Sequence, residues 1–204
     1  MSQSPLSQRE KFQPRVVVLS GPSGAGKTTV VHEVLRRISV PLARSVSATT
    51  RPPRDGEIAG VDYHFLTNDE FQLRRQRGDF LECCQVFGKG YWYGTLWSEI
   101  NARFQERKWV LLNIDVQGAL TVMSRFADAI SIFLRPSSTD ELRRRLSQRG
   151  TEDQKSLQMR LDRAQKELTL ANEYGYLVFN DNLEQAVNDI CNILGQEWEK
   201  AQND

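Results

Sequence analysis

Apolar runs divide this chain into alternating strand and helix signals. Val16-Val17-Val18-Leu19 is unbroken and β-branched, the pattern of a short strand buried on both faces of a parallel sheet. From Thr29 to Ile38 the apolar residues fall at 30, 31, 34, 35 and 38, one face of a helix that Ser39 and Pro41 stop. Residues 44–57 are rich in hydroxyls, carry Arg51 and Arg54, and close on Pro52-Pro53-Arg54-Asp55-Gly56, which reads as a polar loop. Alternation over Val61 to Leu66 predicts a short strand. Thr67-Asn68-Asp69-Glu70 has capping-box spacing and opens a helix ending near Gly78. Phe80 to Phe87 resumes strand character, Gly88 to Gly94 reads as a glycine- and aromatic-rich turn, and Trp97 to about Glu106 as helix. Trp109 to Asp115 is the second convincing buried strand, ending on a carboxylate, and Ala129 to Leu134 is a further strand. Ser138-Thr139-Asp140-Glu141 repeats the capping spacing before a helix with Leu142 and Leu146 on one face. Thr151 opens a longer helix with apolar positions 157, 161, 164 and 168. Tyr176 to Phe179 is the last strand, and Leu183, Val187, Ile190, Leu194 and Trp198 line a closing amphipathic helix. Strands alternating with helices predict an α/β fold, a doubly wound parallel sheet carrying inserted lobes.

Composition narrows the function classes. A chain of 204 residues fits one globular unit, and a net charge of +1 gives no electrostatic case for nucleic acid or a membrane surface. Three cysteines, two of them adjacent (Cys83 and Cys84), form no disulfide framework and point to a reducing compartment. Met1 to Pro14 reads as a loose polar arm without the apolar centre of a signal peptide, and no apolar run approaches a membrane span. The expected location is the cytoplasm.

The chemistry concentrates in Gly21-Pro22-Ser23-Gly24-Ala25-Gly26-Lys27-Thr28, a G-x-x-x-x-G-K-[ST] match between the first strand and the helix that Thr29 continues. Glycines let successive backbone N–H groups turn toward phosphate oxygens, and the helix adds the positive end of its dipole. Lys27 can reach the β/γ-phosphates of a nucleoside triphosphate, and the Thr28 hydroxyl can bind Mg²⁺. Asp115, at the end of a buried strand, sits where this loop's fold places a carboxylate beside the metal and phosphates. A transferase also needs a second anion site. Arg51 and Arg54, with Tyr63 and Tyr93, are candidates, since guanidinium forks and phenol donors suit phosphate; solvated surface arginines are the alternative. Glu82 lies in an apolar strand. It either faces water at a sheet edge or accepts from paired N–H donors, such as guanine presents and adenine does not.

Several segments are similar to the guanylate kinase family: residues 20–28 and 45–57, Gly60-Val61-Asp62-Tyr63, Phe80-Leu81-Glu82, Tyr93-Gly94-Thr95, Ile114-Asp115-Val116-Gln117-Gly118, Arg149-Gly150-Thr151-Glu152, Met159-Arg160-Leu161 and Asn180-Asp181. The similarity covers about residues 15–200. It implies that Ser47, Glu82 and Thr95 contact guanine, that Arg51, Arg54, Tyr63 and Tyr93 hold the GMP phosphate, and that Asp115 lies near the acceptor and metal. It further implies that Arg145, Arg149 and Arg160 close on the ATP phosphates and that Asn180 passes the adenine. The implied organisation is an arm (1–14), a P-loop core (15–46, 98–137 and 171–204), a GMP-binding lobe (47–97) and a helical lid (138–170). The implied activity is transfer of the γ-phosphoryl group of Mg·ATP to GMP or dGMP. Asn113 departs from the acidic residue many members carry there, and the 87–93 turn is longer than the common form, so Tyr93 is matched through its Tyr-Gly-Thr context. A relative using another acceptor, and a non-catalytic scaffold, are the alternatives. Glu82 with Ser47 argues against the first, and Lys27, Thr28 and Asp115 against the second. A homo-oligomer is left open.

Overall fold

The computed structural model describes residues 12–85, 90–147 and 154–203, with 154–157 by backbone alone. In chain order the elements are β1 (Val16–Ser20), α1 (Lys27–Arg37), β2 (Leu42–Arg44), β3 (Ala48–Thr49), β4 (His64–Phe65), α2 (Asn68–Gln76), β5 (Phe80–Gln85), β6 (Trp92–Leu96) and α3 (Trp97–Gln105). They continue through β7 (Trp109–Asn113), α4 (Val116–Arg125), β8 (Ile130–Arg135), α5 (Thr139–Ser147), α6 (Gln154–Leu168), β9 (Tyr176–Phe179) and α7 (Leu183–Asn203).

Five parallel strands form the central sheet in the order β2-β7-β1-β8-β9. The unbroken apolar run of β1 follows from its place at the centre. Val17 and Leu19 face one core with Val30, Val34 and Ile190 of α1 and α7. Val16 and Val18 face a second core with Ile100, Val116 and Val122 of α3 and α4. Because β1 lies between β7 and β8, the strand order reverses there, and the carboxyl ends of all five strands open on one edge. The segments after β1, β7, β8 and β9 therefore meet: the glycine loop, Asp115, Pro136 and Asn180.

A second, mixed sheet of order β4-β3-β6-β5 has its own small core of Ala48, Phe71, Phe80 and Leu96, with Phe71 stacked on Phe80 at 4.4 Å. Helices α5 and α6 pair through Leu142, Leu146, Leu161 and Ala164. The Thr67 capping box forms on both sides: Thr67 Oγ1 accepts the Glu70 N–H (3.2 Å), and Glu70 Oε2 accepts the Thr67 N–H (2.8 Å). The Ser138 box is half of one. Ser138 Oγ accepts the Glu141 N–H (3.1 Å), while the Glu141 carboxylate turns forward to Arg144 and Arg145.

The structure corrects the sequence reading at five places. Strand β3 lies inside the segment read as a loop and β2 (Leu42–Arg44) runs into its first residue, while Ser45, Thr49 and Arg51 within it are buried; strands of two and three residues are too short to show a period. The strand expected over Val61–Leu66 shrinks to His64–Phe65, because Asp62 Oδ2 accepts the Ile58 N–H (2.8 Å) and closes a turn. Trp92–Leu96 is a strand rather than part of a turn. A Cβ on Gly94 would lie 2.8 Å from Cys83 Cβ, so that glycine permits close strand approach. Strand β7 ends at Asn113, and Asp115 instead caps α4. Finally, the arm is anchored at its end. Phe12 packs against the first core, and Gln13 O accepts the indole N–H of Trp109 (2.9 Å), a donor that needs a partner once buried. Residues 1–11 of the arm, Val86 to Lys89 with the first part of the expected long turn, and the lid positions 148–153 with Arg149 and the Thr151 helix start lie outside the described residues.

Candidate active site

The glycine loop is shaped by its neighbours. A Cβ on Gly21 would stand 2.0 Å from Leu134 O, and Gly24 and Gly26 both adopt φ +88°, where a side chain is strained. Pro22 O accepts the Ala25 N–H (3.1 Å), closing the turn. Lys27 folds back over the loop and its Nζ donates to Gly21 O (2.6 Å) and Pro22 O (3.2 Å). Pro22 and Ala25 are buried, Ser23 is half-buried, and Thr28 and Thr29 are exposed on the first turn of α1. From the far end of the chain, buried Asn180 donates through Nδ2 to Ala25 O (2.8 Å) and fills the space beside Gly26. Arg145 bridges α5 to that segment, with Nη2 on Asn180 O (2.6 Å) and Nε on Glu141 (2.6 Å). The hydrogen bonds from Arg144 and Arg145 push the Glu141 carboxyl down to about 2. Leu142 and Leu146 of α5 come within 3.1–3.2 Å of where a Gly24 Cβ would stand, so the α5–α6 pair rests on the loop.

A metal fits this loop only together with a nucleotide. Among the described residues no three His, Cys, Asp or Glu side chains gather to hold an ion. Magnesium that arrives on phosphates keeps most of its waters and takes only one or two protein oxygens. The exposed Thr28 hydroxyl is such an oxygen.

Across the cleft a second group of residues comes together. Arg51 is buried, its Nη2 on Glu57 Oε1 (2.8 Å) and Nη1 on Pro52 O (2.7 Å), with its guanidinium 5.3 Å from the Tyr63 ring centre. The Arg51 hydrogen bond and then the Arg54 N–H hold the Glu57 carboxyl below the usual carboxylate range. Tyr63 and Tyr93 meet edge to face at 6.0 Å, and burial pushes Tyr63 up, keeping its phenol a neutral donor. The Arg54 side chain is exposed at the turn. Ser47, half-buried between β2 and β3, gives its carbonyl to the His64 N–H (2.9 Å).

Glu82 and Asp115 form the floor. Glu82 is 6% exposed, and its Oε1 accepts the hydroxyl of fully buried Thr95 (2.7 Å). Asp115 uses Oδ1 to accept the Gly118 N–H (2.9 Å), and its Oδ2 faces Cys84 Sγ (3.4 Å) and Arg163 Nη2 (3.1 Å). Burial and then the Asp115 carboxylate push the Cys84 thiol up, so it remains a donor. A Cβ on Gly118 would lie 2.8 Å from Glu82 Oε2 and 3.4 Å from Asp115 Oδ1, so both carboxylates crowd the point that this glycine leaves empty.

The structure thus gathers Gly21 to Lys27, Asn180 and Arg145 into one group, Arg51, Tyr63 and Tyr93 into a second, and Glu82, Thr95 and Asp115 into a third. Arg160 is half-exposed on α6. Sequence reasoning missed Arg163, one turn further on, as well as Cys84 and Glu57. Nothing in one dimension separates Arg160 from Arg163, which share a helix face at a spacing of three.

The guanylate kinase family model matches residues 13–197. A guanylate kinase of Rhodopirellula baltica is 50% identical over 181 residues, covering 88% of this chain and 87% of the relative. One from Salinibacter ruber is 50% identical over 182 residues, 89% of this chain and 95% of the relative. The crystal structure of guanylate kinase from Anaplasma phagocytophilum superposes with a TM-score of 0.75 at 32% identity, covering 92% of this chain and 87% of that one. The family model runs across both sheets and the glycine loop, and these relatives align over most of both chains. The chain belongs to the guanylate kinase family.

Proposed function

We propose that this chain, a kinase that phosphorylates GMP at the expense of ATP, transfers the γ-phosphoryl group in-line and without a covalent enzyme intermediate, and takes dGMP as a second acceptor. The observation that carries the base choice is the buried Glu82–Thr95 pair beside Asp115, which follows β7 as the phosphate loop follows the adjacent β1. Guanine offers adjacent N–H donors to such a carboxylate, with Ser47 completing the contact. Arg51, Arg54, Tyr63 and Tyr93 hold the acceptor phosphate. Arg51 exchanges its Glu57 partner for phosphate oxygens, so its charge is kept in place until the acceptor arrives.

On the donor side, the N–H groups of residues 21–29 cradle the triphosphate, and Lys27 leaves its loop carbonyls for the β/γ-phosphates. Arg145, Arg149 and Arg160 neutralise charge on the transferring group, and Asn180 borders the adenine. Thr28 holds Mg²⁺ with the nucleotide phosphates, and when bound the ion supplies charge neutralisation on the phosphoryl oxygens. Catalysis is then positioning plus electrostatics. In this reading residues 47–97 are the acceptor lobe and 138–170 the lid. A cytoplasmic site of action agrees with the free thiols of Cys83, Cys84 and Cys191. Among the described residues no helix is long and apolar enough to cross a membrane.

The test is initial-rate transfer from Mg·ATP to GMP, dGMP, AMP, CMP, UMP and ribose bisphosphate, with Glu82→Gln and Lys27→Met as controls. Turnover confined to GMP and dGMP, weakened by the first change and abolished by the second, is expected. Turnover with another acceptor would overturn the base assignment. ATP binding without transfer would overturn the kinase reading.

A further inference from the structure

Asp115 Oδ2 is a meeting point of three parts of the molecule. Asp115 itself lies just past the end of β7 in the central sheet, at the cap of α4. Cys84 reaches it from β5 of the acceptor lobe, with Sγ at 3.4 Å. Arg163 reaches it from α6 of the lid, with Nη2 at 3.1 Å across 48 positions of sequence. Arg163 is held at its other edge as well, Nε donating to Glu167 Oε1 at 2.6 Å one turn along α6. The side chains of Arg163, Asp115 and Glu167 are 32%, 26% and 10% exposed, so this guanidinium is partly buried between two carboxylates. An Arg–Glu pair four apart on an open helix face contributes little. The long-range bond to Asp115 is a different matter, because it fixes a carboxylate that already lies against Glu82.

We propose that Arg163 is a positioning residue for the acceptor: from the lid helix it holds the Asp115 carboxylate in the acceptor pocket, so that seating the lid and orienting the pocket become one event. The inference rests on the GMP kinase reading. With Oδ1 accepting the Gly118 N–H and Oδ2 facing both Arg163 and Cys84, both oxygens of the carboxylate are engaged. Arg163 also places a positive charge next to a pocket in which two carboxylates, Glu82 and Asp115, crowd one point. Removing it leaves Oδ2 with the weak Cys84 thiol donor alone, and the two negative charges less compensated as the acceptor enters. A lysine there keeps the charge but cannot span both carboxylates with a planar fork. Arg163 touches neither substrate in this account and acts through Asp115.

The experiment is a double-mutant cycle of Arg163→Met with Asp115→Asn, plus Arg163→Lys, with GMP and ATP each varied at saturating levels of the other. For Arg163→Met the KM for GMP should rise roughly tenfold, the scale of a lost charge-assisted hydrogen bond. The KM for ATP should stay within about twofold, since the charge acts on the acceptor side. Arg163→Lys should fall between the two. On the Asp115→Asn background the Arg163 change should add little, because its target is already gone. An unmoved KM for GMP, an equal rise for both nucleotides, or multiplicative effects in the double variant would each overturn the role. If Arg163→Met does not fold, the same cycle run with Arg163→Lys decides by the same criteria. Wild-type enzyme in the same assay keeps the two levels apart. Wild-type turnover of GMP with an indifferent Arg163 variant removes only this inference, whereas absence of wild-type turnover removes the kinase reading and the inference with it.

Discussion

Burial pushes the Glu82 carboxyl up to about 7, the Thr95 hydroxyl opposing this and the Asp115 charge adding to it. The protonated form is therefore favoured by folding, and between the ordinary carboxylate range and about 7 the native state holds a proton that the unfolded chain has released. Stability of the ligand-free protein should fall as pH rises through that window and level off above it, by a few kcal/mol at most. Denaturant melts of the wild type and Glu82→Gln at pH 5 and pH 8 check this, the variant losing that part of the slope. Under the proposed guanine contact, binding has the opposite sign, since guanine donors need the ionised carboxylate. The kcat/KM for GMP should climb through pH 7 in the wild type and be flatter in Glu82→Gln, the comparison removing the titration of the GMP phosphate itself. Gly118→Ala offers a separation of effects. In the first turn of α4 the methyl group favours helix by about 1 kcal/mol, yet it stands 2.8 Å from Glu82 Oε2 and must displace the carboxylate. The variant should melt no lower than wild type while its KM for GMP rises several-fold. Single residues were unevenly legible in the sequence: Glu82 stood out as a charge in an apolar strand, but Arg163 is one arginine among several on a polar helix face, and only packing against Asp115 distinguishes it.

At the scale of elements, legibility followed burial on two faces. Strands β1, β7 and β8 are predominantly apolar because helices cover both sides of the central sheet. Strands β2, β3 and β4 are two or three residues long and carry arginine, threonine or histidine, so their pairing with β7 and with one another is visible only in three dimensions. Helix starts were legible where capping chemistry was complete. Thr67 and Glu70 exchange both bonds at the start of α2, and Thr67→Ala should lower stability by about 1 kcal/mol in urea melts. A smaller effect is expected for Ser138→Ala, because Glu141 spends its carboxylate on Arg144 and Arg145. The cap at Asp115 was misread as a strand end, since Asn113-Ile114-Asp115 continues the apolar alternation past the last sheet pairing.

On the scale of the whole molecule, the parallel order of the central sheet brings the glycine loop, Asp115 and Asn180 to one edge, while the α5–α6 pair rests on the loop through Leu142 and Leu146. An enzyme that completes its site only when both nucleotides are enclosed keeps water from the γ-phosphate. ATP hydrolysis in the absence of GMP should therefore run at least ~10²-fold slower than transfer, measured by phosphate release; comparable rates would contradict enclosure. The outline of the fold was readable because strands alternate with helices, whereas the meeting of residues near 25, 115, 145 and 180 was not, being a property of topology. That meeting bears on how the protein is made. The loop at 21–28 emerges early in synthesis, yet the side chain that lies beside Gly26 and bonds Ala25 O belongs to Asn180. A nascent chain still lacking that residue has the phosphate-binding motif without its finished shape. On the proposed reading of the loop as the ATP site, nucleotide binding is expected to become available to a ribosome-bound chain only near the end of translation, so that ATP protects the finished protein against unfolding but does not chaperone its first strands.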